Sequence, residues 1–244
     1  MTAAPQWIAE HQAAWDAKPA LRFYYRRDIF DRLSHELGDG PTLELGCGPR
    51  FFSRSRPGIV STDITAQAGV DICADAHALP FAEASFANVI GIDVLHHFAR
   101  PGAALGEVAR VLRPGGRLVL IEPWVGPLGF VFYRWFHHED CRRVADPWNA
   151  ALPAGKSAMD GNATVAKALF VDRTREMARH APGLAVRDVA PFGLLSYVLT
   201  GGFQSWGFPR ALIAGCLRME AMLPRSMLRL IALRALFVLE KETG

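Results

Sequence analysis

The fold of this chain is decided by the stretch TLELGCGP, which spans residues 42–49. Its apolar first half is typical of a buried parallel strand, and Gly46 and Gly48 follow at the carboxyl end of that strand. Ligands of open α/β sheets bind at this edge, where glycine allows a sharp turn and a close approach of the ligand to the main chain. An ordinary tight turn has the same two glycines, so the surrounding sequence must distinguish the two interpretations.

Strands and helices alternate along the chain beyond this loop. Compact apolar segments at 58–62, 87–92 and 117–121 predict three further buried parallel strands. Between the last two, residues 103–112 carry their apolar side chains on one helical face, which predicts a helix. The alternation indicates an open α/β sheet that is covered by helices.

The loop after the first strand does not fit a dinucleotide site. Such a site needs a third glycine to seat a pyrophosphate on a helix N-terminus, whereas Pro49, Arg50 and Phe51 follow Gly48 here. Glu44, just ahead of the first glycine, also suits a cationic ligand better than a phosphate. The loop therefore favours a ligand that carries a positive charge.

Two carboxylates follow the next strands. Asp63 lies nineteen residues after Glu44, at the end of the second predicted strand, where a carboxylate can accept hydrogen bonds from both ribose hydroxyls; a helix cap or turn is the alternative. Twelve residues further, Asp75 offers an acceptor for an exocyclic amine, ahead of a loop that can close over a flat ring. A ribose, an adenine and a positive centre without phosphate describe S-adenosylmethionine.

Five segments, in this order and with this spacing, resemble the class I S-adenosylmethionine-dependent methyltransferases, in particular the broad group called methyltransferase type 11. They are LELGCG at 43–48, VSTDIT at 60–65, DAHALPF at 75–81, ASFANVIGIDVLHHF at 84–98 and EVARVLRPGGRLVLIEPW at 107–124. The resemblance implies an α/β, Rossmann-like sheet of seven strands whose last strand is antiparallel. The segment at 235–239 would form that last strand.

The resemblance also implies how the cofactor, S-adenosyl-L-methionine, would be bound at its amino-acid end. Glu44 would face the cationic amino-acid group, and Gly46 and Gly48 would let the backbone approach it. The backbone of residues 91–93, which ends at Asp93, would touch the methionine part.

At the nucleoside end, the resemblance assigns the ribose hydroxyls to Asp63 and the adenine to Asp75 and the Ala76 amide. This sequence departs from the common pattern where Pro49 and Arg50 replace the usual small residues. We interpret the departure as a change in how the loop leads into the following helix.

Two histidine clusters are candidates for the acceptor side. Methyl transfer from a sulfonium is an in-line displacement, and a base is required only when the nucleophile must lose a proton. We predict that His96 faces the pocket as this base while His97 packs inward; a structural role for both is the alternative. The second cluster, His137, His138 and Glu139, fits a base, an acceptor contact or a solvated face. No HxxxH spacing supports a metal, so no metal site is predicted.

The chain of 244 residues is interpreted as a single methyltransferase domain. Residues 123–162 are rich in aromatic residues, prolines and glycines without a clean strand pattern, which predicts a lid inserted over the acceptor. The other parts are an N-terminal helical cap at 1–38, a cofactor-binding half at 40–122, and a C-terminal sheet half with a helical insertion at 163–244.

Composition limits the partners. The net charge of +3 is too small and dispersed to predict nucleic-acid binding. The chain shows no apolar run of membrane-spanning length, no secretory signal and only scattered cysteines, which indicates a cytoplasmic protein. Residues 203–234 are apolar and arginine-rich, which fits peripheral contact with an anionic membrane or, alternatively, packing on the sheet.

Together these features predict a S-adenosylmethionine-dependent methyltransferase that methylates oxygen on a small or amphiphilic acceptor, such as a glycan, a lipid or a secondary metabolite. A nucleotide-dependent oxidoreductase and a catalytically silent, membrane-peripheral protein with the cofactor fold are the alternatives. The sequence leaves the oligomeric state and the identity of the acceptor open.

Overall fold

A computed structural model describes residues 5–137, 139–150, 152 and 160–243. Its centre is one seven-stranded sheet of order β3-β2-β1-β4-β5-β7-β6, in which β7 runs antiparallel to both neighbours and the other pairs are parallel. The predicted α/β sheet with an antiparallel last strand is confirmed. The strands are β1 (Thr42–Leu45), β2 (Ile59–Asp63), β3 (Ile72–Cys73), β4 (Phe86–Ile92), β5 (Leu112–Pro123), β6 (Leu184–Phe192) and β7 (Arg234–Lys241).

Helices cover both faces of the sheet. A π-helical turn at Tyr25–Phe30 joins α2 to α3, and α9 and α10 form the insertion between β6 and β7. The helices are α1 (Gln6–Ala17), α2 (Pro19–Tyr24), α3 (Asp31–Glu36), α4 (Pro101–Val111), α5 (Pro127–Trp135), α6 (Val165–Lys167), α7 (Met177–His180), α8 (Leu195–Val198), α9 (Arg210–Glu220) and α10 (Arg225–Ile231).

Apolar residues follow one another in β5 without alternating with polar ones, because both faces of this strand are buried. Successive side chains of a strand point to opposite faces. Leu118 and Leu120 join the core on one face together with Leu105 of α4. Val119 and Ile121 join the core on the other face, against the N-terminal helices. Each fully buried side chain of this size contributes about 1.5 to 3 kcal/mol, so both layers of helices are held to the sheet.

The loop after β1 leaves the strand without entering an α-helix. Arg50 has a positive φ of 63°, and the chain continues through turns into a short 3-10 turn at Ser53–Ser55. Pro49 and Arg50, the residues that depart from the family pattern, lie in this segment, and a changed exit from the loop relative to the family stays a prediction.

The aromatic segment after β5 divides into buried and exposed side chains. Trp124 donates from Nε1 to the carbonyl oxygen of Arg229 at 3.0 Å, and Tyr133 donates its hydroxyl to the carbonyl oxygen of Leu233 at 2.6 Å. The first bond ties the residue after β5 to α10, and the second ties α5 to the segment that leads into β7. Trp135 and Phe136, by contrast, are 74% and 78% exposed. The lid prediction falls partly on residues 151 and 153–159, which lie outside the described residues.

No helix in the described ranges combines the length and the apolar character that crossing a membrane requires.

Candidate active site

A cavity of about 1340 Å³ lies at the carboxyl ends of the central strands. It opens where β1 separates β2 on one side from β4 on the other, the point at which open α/β sheets bind ligands. One wall is formed by the loops that follow β1, β2, β3 and β4. Aromatic side chains form a second part of the lining, called the aromatic wall here, which includes Tyr25, Phe132, Tyr133, Phe136, Tyr197, Phe203 and Trp206.

Two glycines form the floor of the cavity next to β1. Gly46 and Gly48 have φ values of +55° and +47°, a region that favours glycine. A Cβ on Gly46 would lie 2.2 Å from Cγ2 of Val94. The N–H of Cys47 donates to the carbonyl oxygen of Thr62 at 2.9 Å, so the loop is also bonded to β2. The backbone therefore borders the cavity without an intervening side chain at these two positions.

Asp63 joins the loop after β1 to the loop after β2. Its Oδ2 accepts a hydrogen bond from the N–H of Gly48 at 2.9 Å, and its Oδ1 accepts from the N–H of Thr65 at 2.8 Å. The side chain therefore has a turn-forming role in this structure. Each carboxylate oxygen keeps a second lone pair, so the predicted bonds to ribose hydroxyls remain compatible with this geometry.

Glu44 is buried in β1 and borders the same cavity. Its Oε2 accepts from the N–H of Ser53 at 3.2 Å. Burial raises the pKa of Glu44 to about 7, against the opposing effect of the bonds from Ser53. A cationic ligand beside Glu44 would favour the ionised carboxylate.

Asp75 and Ala76 lie on the cavity wall after β3. Oδ1 of Asp75 accepts from the N–H of His77 at 2.9 Å and lies 2.6 Å from Nδ1 of the same residue. Partial burial raises the pKa of Asp75, but the bonds with His77 outweigh it and hold the pKa below its usual value. Asp75 thus remains an ionised acceptor near neutral pH.

Asp93 follows β4 and has a positive φ of 52°. Its two carboxylate oxygens accept from Nη2 of Arg234 at 2.8 and 2.7 Å, and its N–H donates to the carbonyl oxygen of Ile121 at 2.9 Å. Arg234, the first residue of β7, is almost completely buried. The Asp93 side chain is therefore engaged by an arginine, while the neighbouring backbone forms the cavity edge.

His96 lies between two carboxylates. Its Nδ1 lies 2.5 Å from Oε2 of Glu122, and its Nε2 lies 3.3 Å from Oε2 of Glu139. Oε1 of Glu122 also accepts from the N–H groups of Val94 and Leu95, at 2.9 and 2.7 Å. Burial lowers the pKa of His96, but the two carboxylates outweigh it and hold the pKa well above its usual value. An imidazolium in this position has no free lone pair for a substrate proton, so the predicted base role of His96 requires the ring to separate from Glu139.

The prediction that only one of the adjacent histidines reaches the cavity is wrong, since both His96 and His97 line it. Their ring centroids are 4.2 Å apart, and His96 is the more deeply buried of the two. Both residues belong to the 3-10 turn Leu95–His97, where successive side chains are about 120° apart and not on opposite faces.

The second histidine cluster meets the first. His97 Nε2 lies 3.7 Å from Oε1 of Glu139, and His137 Nδ1 lies 3.8 Å from Oε2 of the same residue. Burial raises the pKa of Glu139, yet the contacts with His96 and the nearby imidazoles lower it to about 2. His138 lies outside the described residues.

Sequence reasoning missed Glu122 and Arg234. A signal for Glu122 was present, because a glutamate interrupts the apolar run Leu118–Ile121 at the end of β5. Nothing comparable marks Arg234 in a chain with many arginines. Its partner Asp93 becomes its neighbour only through the pairing of β5 with β7.

Residues 43–120 match the family model described as a methyltransferase domain. Together with the order of the seven strands, this match defines a class I S-adenosylmethionine-dependent methyltransferase domain. Residues 43–120 carry this domain. The family and the fold imply S-adenosylmethionine as the cofactor, and the glycine floor, Glu44 and Asp63 provide a donor and acceptor set that fits it.

Known proteins support this assignment over part of their length. The chain is 28% identical over 167 residues to malonyl-[acyl-carrier protein] O-methyltransferase of Alcanivorax borkumensis, covering 58% of this chain and 57% of the relative. It is 32% identical over 135 residues to 27-O-demethylrifamycin SV methyltransferase of Amycolatopsis mediterranei, covering 45% and 49%. The chain thus matches about half the length of these relatives.

The fold has a counterpart among solved structures. A S-adenosylmethionine-dependent methyltransferase of Thermotoga maritima superimposes with a TM-score of 0.53 at 15% identity, covering 91% of this chain and 92% of that protein. At this identity the likeness concerns the fold.

Proposed function

We propose that this chain transfers the methyl group of S-adenosylmethionine to an oxygen atom of a small or amphiphilic acceptor. The observation that carries the proposal is one cavity that is lined both by the glycine floor with its neighbouring carboxylates and by the aromatic wall. Its volume of about 1340 Å³ exceeds the roughly 300 to 1,000 Å³ of a typical single-ligand pocket, so a cofactor and an acceptor can lie side by side.

At the cofactor end, the proposed roles follow the positions of the side chains. Glu44 would bind the cationic amino-acid group, Asp63 the ribose hydroxyls, and Asp75 with the Ala76 amide the adenine. Asp93 contributes its backbone, because its carboxylate is already bonded to Arg234. The cofactor supplies an electrophilic methyl group, and these residues would orient it toward the aromatic wall.

At the acceptor end, the aromatic wall would exclude water and hold apolar parts of the acceptor. An acceptor oxygen that attacks the methyl carbon in line forms the new C–O bond as the C–S bond breaks toward sulfur. Two relatives are named as methyltransferases acting at oxygen, which favours oxygen over nitrogen or carbon as the attacked atom.

We also propose that the acceptor side faces a membrane surface. No residue of α10 is buried, and α10 packs beside α5 near the exposed aromatic residues. Phe136, which is 78% exposed, also lines the cavity. Arg225 and Arg229 lie on the same helix and would meet anionic headgroups, so an amphiphilic acceptor could pass from a membrane into the cavity. The exposed apolar residues of this face are Leu128, Phe130, Val131, Trp135, Phe136, Met222, Met227 and Leu230.

The test has a binding arm and a transfer arm. Calorimetry with S-adenosylhomocysteine and, separately, NAD should show binding of the first alone; NAD binding without S-adenosylhomocysteine binding would support the oxidoreductase. Radiolabelled methyl transfer to aqueous and lipid fractions of a cell extract then reports activity and acceptor class. Mild base releases the label from a methyl ester and leaves it in a methyl ether. A label found in neither kind of product would contradict oxygen as the acceptor atom. Cofactor binding with no transfer to any fraction would contradict the enzymatic proposal.

A further inference from the structure

The cluster around His96 brings two imidazoles and two carboxylates together in one site next to the cavity. Glu122 accepts from the backbone N–H groups of Val94 and Leu95 through one oxygen and faces His96 Nδ1 through the other. Because Glu122 can only accept at Nδ1, His96 carries a proton there, and its Nε2 is directed at the carboxylate of Glu139. With no metal bound, the proton on Nε2 is the only cation between this ring and Glu139, and a metal ion would take the place of that proton.

A second imidazole faces the same carboxylate. His97 Nε2 lies 3.7 Å from Oε1 of Glu139, while His96 Nε2 lies 3.3 Å from Oε2. One donor atom from each of these three side chains lies within 4.8 Å of the others. Nitrogen and oxygen ligands at about 2.0 to 2.2 Å from a tetrahedral zinc ion are about 3.3 to 3.5 Å apart, so only small side-chain movements separate these donors from a coordination sphere.

The surroundings also fit a cation. Two carboxylates, Glu122 and Glu139, lie in a site where their side chains are 0% and 10% exposed. The His96 imidazolium offsets one of these two negative charges, whereas a divalent ion in place of its Nε2 proton would offset both. The contact of Glu122 with His96 Nδ1 is the arrangement by which proteins fix the orientation of a metal-binding imidazole.

The backbone holds the two parts of the cluster together. The N–H of Asn162 donates to the carbonyl oxygen of His96 at 3.0 Å. A Cβ on Gly161 would lie 2.6 Å from Cδ2 of His96 and 3.2 Å from Cδ of Glu139, so the chain passes directly against the cluster. The histidines and Glu139 are therefore positioned by backbone contacts as well as by each other.

We propose that His96, His97 and Glu139 bind a divalent transition-metal ion of the zinc type, with Glu122 orienting His96. Two imidazoles and one carboxylate form the ligand set of several catalytic zinc sites, in which a further position stays open to water or substrate. All three side chains line the cavity, so that position would face the acceptor. The proposal goes beyond methyl transfer, since the site is defined by metal binding and does not depend on the reaction.

The experiment uses the full chain, purified, stripped with a chelator and titrated with Zn²⁺ in a calorimeter. We expect one Zn²⁺ per chain and a rise in the unfolding temperature upon binding. Glu139→Gln and His97→Gln should each weaken binding at least tenfold, because even the loss of a residue behind a ligand weakens metal binding by about 10- to 100-fold. The matched control is His35→Gln, which changes an exposed histidine of α3 and should bind Zn²⁺ as the wild type does.

Two results would overturn the proposal. One is a wild-type chain, folded by far-UV circular dichroism, that binds no stoichiometric Zn²⁺. The other is stoichiometric binding that Glu139→Gln and His97→Gln leave unchanged, since the ion would then be bound outside this cluster, by a cysteine or another histidine. The wild-type titration decides the question even if a variant fails to fold. Neither result depends on methyl transfer, so the proposed function is tested separately.

Discussion

Arg234 donates from Nη2 to both carboxylate oxygens of Asp93, at 2.8 and 2.7 Å. The pair joins the first residue of β7 to the residue that follows β4 beside the cavity. The guanidinium of Arg234 also lies over the ring of Tyr197, 5.1 Å from its centroid. Arg234 therefore connects three parts of the structure: β7, the loop after β4 and, through Tyr197, the aromatic wall. Arg234 is buried, so water cannot replace it as a partner for the Asp93 carboxylate, and its loss would destabilise the fold.

The first prediction concerns this pair. Arg234→Met should lower the free energy of unfolding by about 3 to 5 kcal/mol, because it leaves Asp93 without its partner in a partly buried position. Arg187→Met removes an exposed pair with Glu240 and should change stability by less than about 1 kcal/mol. Urea denaturation measures both. Equal effects of the two substitutions would show that burial does not set the strength of the Arg234–Asp93 pair.

The second prediction concerns Asp63. Asp63→Asn should weaken S-adenosylhomocysteine binding by at least about 1 to 3 kcal/mol, because a charged acceptor of the ribose hydroxyls is lost. Asp71→Asn is the matched control, since Asp71 accepts from the N–H and hydroxyl of Ser61 on the same strand but is not among the cavity-lining residues. Calorimetry should show a loss only for Asp63. If both variants bind as the wild type does, Asp63 acts only in the turn.

The third prediction separates steric contact from backbone strain at the glycine floor. Gly46→Ala places a Cβ 2.2 Å from Val94 at a positive φ, whereas Gly58→Ala has a positive φ with nothing within 4 Å. Strain of about 1 to 2 kcal/mol is expected at both sites, and overpacking adds about 1 to 3 kcal/mol at Gly46. We expect Gly46→Ala alone to abolish binding of S-adenosylhomocysteine. Retained binding in a folded Gly46→Ala chain would contradict the close backbone approach.

The fourth prediction concerns the ionisation of Glu44. Burial raises its pKa in the folded chain to about 7, above the usual value of 4.5. The stability from the protonated carboxyl is therefore fully present below about pH 4.5 and is lost as the pH rises through about 7. The unfolding free energy of the wild type relative to Glu44→Gln should fall by about 3 kcal/mol across this window, since each pKa unit corresponds to about 1.4 kcal/mol.

The same ionisation predicts the pH dependence of ligand binding. S-adenosylhomocysteine has a cationic amino group, so the ionised form of Glu44 should bind it more tightly. Affinity should rise between pH 6 and 8 in the wild type and stay level in Glu44→Gln. A parallel rise in both proteins would assign the pH dependence to another group.

The fifth prediction tests the membrane-facing surface. Cosedimentation with vesicles should increase with the fraction of anionic lipid and decrease with salt, because exposed charges are screened within about 8 Å at physiological ionic strength. Arg229→Gln should reduce pelleting, and Trp135→Ser should reduce it at every salt concentration because it removes an exposed apolar side chain. Arg113→Gln changes an exposed arginine at the amino end of β5, whereas α5 follows the carboxyl end of that strand, and should have no effect. Equal pelleting with neutral and anionic vesicles would refute the electrostatic contribution.

The resemblance to the class I methyltransferases predicted the antiparallel last strand. The local sequence by itself determined the α/β class and the loops at the carboxyl ends of β1, β2 and β4. These features follow from local patterns: apolar runs that need burial on both faces, glycines that allow positive φ, and polar residues where strands end. Gly46, Glu44 and Asp63 were found in this way because each lies within a few residues of its own strand. The fold was accordingly predictable from short segments.

Only the tertiary structure decided which distant side chains meet. Strand order places Arg234 beside Asp93, and the segment after β5 brings Glu139 against His96 and His97. The ionisation of these groups depends on burial and on neighbouring charges that chain spacing does not specify, so the local sequence suggested a free base at His96. The structure instead places that ring between Glu122 and Glu139, because charged groups in an interior must be paired across the fold and not along the chain.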